Sequence, residues 1–210
     1  FEADPLRPGS FDAACSQAAL LVHTATPFTS RRVANPEEKL IRPAVEGARN
    51  VLQAASASST IRRVVYTSSV VAIHGDAREI YRTEDGYFHE GHWNTTSTPS
   101  YQPYGYAKCA AEREAWRLAE GASWELRVLN PGLILGPSLS RQSDSAGFSL
   151  ILRLLGGELS TGVPQLSFGV VDVREVARGH LDAAVREGVS DRTILVATHA
   201  SLLEIAQTLD

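Results

Sequence analysis

Tyr104 and Lys108 stand four residues apart in the run Pro103-Tyr104-Gly105-Tyr106-Ala107-Lys108. If that run is helical, the two side chains share a face. A phenol ordinarily titrates near pH 10 and shuttles protons poorly at neutral pH, whereas an adjacent ammonium stabilises the phenolate and lowers that value toward the working range. The chain has two lysines in all, Lys39 and Lys108, so the pairing is not a by-product of abundance. Upstream, Thr67-Ser68-Ser69 closes an apolar run. A hydroxyl there, beside the phenol and the ammonium, makes a site that can transfer a proton and hold the oxygen of a carbonyl gaining a hydride.

These groups must be positioned by regular elements, and the chain alternates them. Strands are expected at Ala19–His23, Arg62–Ser68, Glu125–Leu129, Phe168–Val171 and Thr193–Val196, each short, apolar and bounded by turn residues. Between them, helices are expected from Asn35-Pro36 to about Ala55, over Gln102–Glu120, around Phe148–Leu155, over Arg174–Arg186 and over Leu202–Leu209. Pro43 should either kink the first of these or start a second helical segment. Apolar strands separated by helices predict an α/β fold, a doubly wound parallel sheet whose ligands bind beyond the carboxyl ends of the strands. The stretch Gly75 to Gln102 has no periodicity and reads as a functional connection.

The motifs TSS (67–69), YGYAK (104–108), VHTATPF (Val22 to Phe28), NPGLILGP (Asn130 to Pro137) and VVDVREVARGHLDA (Val170 to Ala183) occur in one order. Together they resemble the extended short-chain dehydrogenase/reductases. IRPAVEG (Ile41 to Gly47) and HEGHW (His89 to Trp93) are similar to the dihydroflavonol 4-reductase branch, which includes cinnamoyl-CoA reductases and microbial aldehyde and ketone reductases. The resemblance implies a Rossmann-type NAD(P)-binding domain over 1–210, with pocket elements in 75–102 and 138–168. It implies Tyr104 as general acid, Ser69 rather than Ser68 as donor to the carbonyl oxygen, and Lys108 as the group that tunes the tyrosine and binds the nicotinamide ribose. Cofactor contacts would come from Asp4 and Pro5 at the adenine, Ala25 and Thr26 toward the ribose and diphosphate, Thr67, and the Pro131-Gly132-Leu133 backbone at the nicotinamide. His74 would face the substrate. The cofactor is NADP(H) or NAD(H), with NADP preferred by analogy.

The expected activity is reversible reduction of an aldehyde or ketone. A sugar-nucleotide epimerase or dehydratase is an alternative, weakened because Pro43-Ala44 stands where epimerases of the superfamily often carry Asn. A non-catalytic dinucleotide sensor is another, opposed by the Ser, Tyr and Lys set. No glycine trio for a pyrophosphate precedes these motifs, the chain starts at Phe1 and it holds 0 Met. The expectation is therefore a piece lacking an N-terminal glycine-rich βαβ part and a C-terminal portion, with Ala19–His23 left as an open sheet edge.

Composition bounds the rest. At 43% hydrophobic, 21% charged and a net charge of -4, the chain is globular and carries no basic footprint for nucleic acid or an anionic membrane. No apolar run approaches the roughly 18 residues of a membrane span. Two cysteines and no leader-like start fit a cytoplasmic protein, a monomer or homodimer acting on a small carbonyl or alcohol. His89 and His92 lack the four-residue spacing of a zinc helix, so no metal is expected. Asn94-Thr95-Thr96 reads as a turn rather than a glycan acceptor, and Asp172 as a helix cap.

Overall fold

The computed structural model describes residues 1–27, 33–139 and 145–209. Phe28, which ends the VHTATPF segment, and 140–144 of the 138–168 stretch lie outside the described residues.

Four parallel strands form the main sheet in the order β1-β2-β3-β6: β1 Leu20–His23, β2 Arg63–Thr67, β3 Glu125–Pro131 and β6 Arg192–Leu195. β2 and β3 are buried nearly end to end, as expected of strands covered on both faces. Helices α2 (Arg42–Ala57) and α3 (Pro103–Ala119) pack on one face, and their small residues Ala44, Ala48, Ala107 and Ala111 let them approach the sheet closely. Helix α5 (Val173–Val185) lies against β1, β2 and β3. Its C-terminal end is fastened by Arg63, whose guanidinium donates to the carbonyls of Ala184 and Arg186 at 3.0 and 3.2 Å, a cation where the helix dipole is negative.

The chain differs from the expected single sheet at Gly132. There it leaves β3 and enters a second, three-stranded sheet in the order β4-β5-β7: β4 Leu133–Leu135, β5 Ser167–Asp172 and β7 Thr198–Ser201, the last antiparallel. The predicted strand at Phe168–Val171 is thus correct as a strand but belongs to this second sheet. A Cβ on Gly132 would lie 2.1 Å from the carbonyl oxygen of Gly169, so only glycine lets the two segments meet. Two helices flank this sheet, α4 (Ala146–Leu155) and the capping-box helix α6 (Leu202–Gln207), and a short helix α1 (Asp12–Cys15) precedes β1.

Pro43 starts a new segment. A wide π-helical turn over Glu37–Ile41 runs straight into α2, with the proline in the first turn, where its missing N–H breaks no bond. The stretch 75–102 contains 3-10 turns and is knotted by side chains. Asn94, 7% exposed, donates to the Val71 carbonyl at 2.6 Å and to Ser97 Oγ at 2.8 Å. Its Oδ1 accepts the amides of Thr96 and Ser97. That is the expected turn, and its asparagine is buried. Asp172 caps α5, accepting from the Arg174 amide at 2.7 Å.

Candidate active site at the carboxyl edge of the main sheet

Because the four strands are parallel, His23, Thr67, Pro131 and Leu195 all mark one edge. Past Thr67 the two serines part. Ser68 is buried and its hydroxyl donates to the Glu112 carboxylate. Ser69, in extended backbone, caps the 3-10 turn Val70–Ala72, and its hydroxyl donates to the Pro131 carbonyl at 3.4 Å and accepts from the Val71 amide at 3.4 Å. Both contacts are long, so this hydroxyl is loosely held and half-buried.

Helix α3 starts after Gln102, whose φ of 55° is left-handed, and Pro103 occupies its first turn. Tyr104 and Lys108 follow on one face. Lys108, 2% exposed, donates to the Thr67 carbonyl at 3.0 Å, which ties the helix to the end of the serine strand. Burial pulls its ammonium down to about 8, against the opposing pull of Glu112. Tyr104 lines a cleft of about 840 Å³ together with Val71, Gly75, Gln102 and Leu40. Burial pushes its phenol up to about 12. The expected lowering of Tyr104 by Lys108 is therefore not found. The ammonium is turned to the Thr67 carbonyl, and the phenol is desolvated.

The other expected contacts have mixed surroundings. Thr67 is committed, its carbonyl to Lys108 and its hydroxyl to His180 Nε2 at 2.7 Å. Since His180 Nδ1 faces the Val176 carbonyl at 2.8 Å, Nδ1 carries the proton and Thr67 donates. Ala25 is exposed and Thr26 half-buried just past β1. The Gly132 amide donates to the Leu195 carbonyl at 3.1 Å, and Leu133 pairs with Val170 in β4. Asp4 is exposed, with Oδ1 accepting the Leu6 amide at 2.8 Å, and the Pro5 carbonyl takes Asn50 Nδ2 at 2.8 Å. His74 is half-buried and stacked on Phe88, centroids 4.5 Å apart and planes at 14°. Among the described residues its Nδ1 is buried with no hydrogen-bond partner, and the ring does not line the cleft that Tyr104 lines.

Sequence reasoning missed Glu112, Asn130, His180 and Arg192. Glu112 is wholly buried and accepts from Ser68, from Asn130 Nδ2 at 2.8 Å, from Arg192 Nε at 2.6 Å and from Trp116 Nε1 at 3.3 Å. Asn130 Nδ2 also donates to the Ser69 carbonyl at 3.1 Å. The signal was present in Glu112, which lies one turn beyond Lys108 on the same helix face.

A nicotinamide dinucleotide fits the donor set. An ammonium has three N–H donors and, among the described residues, Lys108 gives one to the protein, leaving two for the hydroxyls of a ribose. Among the described residues no group of three or more His, Cys, Asp or Glu could hold a metal, and no helix is long and apolar enough to cross a membrane.

Residues 1–197 match the family described as NAD dependent epimerase/dehydratase. The chain belongs to that family. Among curated relatives of this family member, tetraketide alpha-pyrone reductase 2 of Arabidopsis thaliana is 34% identical over 99% of this chain and 64% of its own. A cinnamoyl-CoA reductase of Medicago truncatula is 32% identical over 100% of this chain and 63% of its own. The yeast methylglyoxal/isovaleraldehyde reductase complexed with NADPH superposes with a TM-score of 0.82 at 26% identity, covering 96% of this chain and 64% of that one. The dihydroflavonol-reductase-like relatives expected from the motifs are thus the ones found, and this family member spans about 64% of the length of the curated relatives it matches.

Proposed function

We propose that this family member is an NAD(P)H-dependent reductase of an aldehyde or ketone, with NADPH preferred. The observation that carries the reading is the Lys108 bond to the Thr67 carbonyl, which lays the Tyr104 helix across the strand end that bears Ser69. The relatives' names, each a reductase, support it.

When bound, the dinucleotide supplies the hydride. Lys108 would hold its ribose through the two donors not given to Thr67, beside Ala25, Thr26 and the Pro131–Leu133 turn. Ser69, loosely engaged, turns its hydroxyl to the substrate oxygen. Tyr104 then gives that oxygen its phenolic proton. A phenol raised to about 12 is fully protonated at neutral pH, and it is still a stronger acid than the alcohol being formed, so proton transfer is downhill in the reducing direction. Leu40, Val71 and Pro103 give the cleft its apolar wall, and the stretch 75–102 adds Gly75, Pro99, Ser100 and Gln102 to it within one dinucleotide-binding domain. His74, next in sequence to Gly75 of that cleft, would orient the substrate by a hydrogen bond.

The test is consumption of NADPH and NADH by the full-length protein against a panel of aldehydes, ketoesters and flavonoid-like ketones. Tyr104→Phe should lose at least about 10²-fold in kcat while dinucleotide affinity is kept. Wild-type turnover in that variant would remove Tyr104 from the role.

A further inference from the structure

Several of the contacts that hold the HEGHW segment, His89–Trp93, meet on one residue. Arg192, 8% exposed at the start of β6, donates through Nη1 to the carbonyls of Glu90 at 2.6 Å and His92 at 2.5 Å. Its Nε lies on the buried Glu112 carboxylate at 2.6 Å. The guanidinium stacks on the Trp93 ring at 3.9 Å, with Arg113 over the same ring at 4.3 Å. The segment returns the hold, since Glu90 Oε1 accepts the Ile194 amide of the outer strand β6 at 3.1 Å. The segment begins just past Phe88, whose ring lies flat on His74.

We infer that His89–Trp93 is a latch closed by Arg192, and that Arg192 is a positioning residue for substrate selection. It fixes Phe88, and through Phe88 the His74 ring, without itself touching the substrate. The geometry explains why an arginine is needed: one planar fork reaches a carboxylate and two carbonyls while its face covers an indole, which a lysine's single ammonium cannot do. The effect on substrate selection rests on the reductase reading above, in which His74 meets the substrate. The latch itself does not.

The experiment uses Arg192→Lys and Trp93→Leu in the full chain, with amide hydrogen exchange as the readout independent of activity. The amides of His92 and Ile194 should exchange at least tenfold faster, while those of Val64 to Tyr66 and Val128 keep wild-type protection. If Arg192→Lys loses protection in those core strands as well, Trp93→Leu, which leaves the Glu112–Arg192 pair in place, decides. Wild-type exchange at His92 and Ile194 in a folded variant overturns the latch. In the second arm, KM for a bulky ketone should rise at least threefold relative to a small aldehyde, with KM for NADPH unchanged. An unchanged ratio overturns the positioning role. A wild-type protein that reduces no carbonyl sinks the reductase reading, and the exchange arm still judges the latch.

Discussion

With its ammonium buried and a single carbonyl as partner, Lys108 titrates at about 8 instead of its ordinary 10.5. Between those two values the unfolded chain holds a proton that the folded chain has released, so stability rises with pH across that window. Below it the folded state carries a buried cation at full penalty. Lys108→Met should therefore stabilise the protein at neutral pH by about 1–2 kcal/mol, net of the lost bond to Thr67, while abolishing carbonyl reduction; urea unfolding at pH 7 checks the first half. In the wild type, kcat/KM for reduction should fall as pH rises through about 8, where the free enzyme's Lys108 loses its charge. Flat kcat/KM between pH 7 and 9 would deny the ammonium that role. Tyr104 and Lys108 were legible in the sequence because their relation is local, four residues along one helix. Glu112 and Arg192 were not, because a charged residue in a helix or strand reads as solvated until distant partners are brought to it: Asn130 and Arg192 are 18 and 80 residues from Glu112, and Glu90 is 102 from Arg192.

Gly47 and Gly132 look alike as letters and act in opposite senses as parts of elements. Gly47 is buried within α2, and a Cβ there would meet Pro5 Cβ at an ordinary 3.6 Å. Gly47→Ala should thus stabilise by about 0.5–1 kcal/mol through helix propensity alone. Gly132→Ala would drive its methyl into the Gly169 carbonyl and should destabilise by at least about 2 kcal/mol, the cost of overpacking where backbone meets backbone. Thermal melts of the two variants check both signs. Elements with strong periodicity or caps, such as α3 and α5, could be read from sequence. β4 and β7 could not: Leu133–Leu135 is three residues, too short to show a period, and Thr198–Ser201 is a short, mostly polar edge strand. Their sheet exists because Gly132 permits a close approach, and that is a fact of space.

At the scale of the molecule the main sheet has two unlike margins. On β6 the Ile194 amide is taken up by Glu90. Among the described residues β1 pairs with β2 alone, as the open edge expected from the strand order, and leaves Leu20 and Val22 37% and 46% exposed. An apolar strand margin of this kind templates pairing with another chain. The 210-residue chain in isolation should accordingly self-associate with rising concentration, and Val22→Lys should suppress it by placing a charge on the margin. Sedimentation velocity over a tenfold concentration range is the check, and identical profiles for the two proteins would deny β1 that part.

The side-chain knot at Asn94 has a bearing on how such a protein can diversify. Asn94 holds the Val71 carbonyl, its amide takes the Ala72 carbonyl, and the Gly75 backbone passes so near that a Cβ there would meet Asn94 Oδ1 at 2.6 Å. Residues 76–93 therefore leave and re-enter the body of the protein at almost one point. A loop whose ends already touch can be lengthened at little entropic cost, about 0.6 kcal/mol for each doubling. Descendants of this chain can rewrite that loop while Ser69, Tyr104 and Lys108 stay where they are.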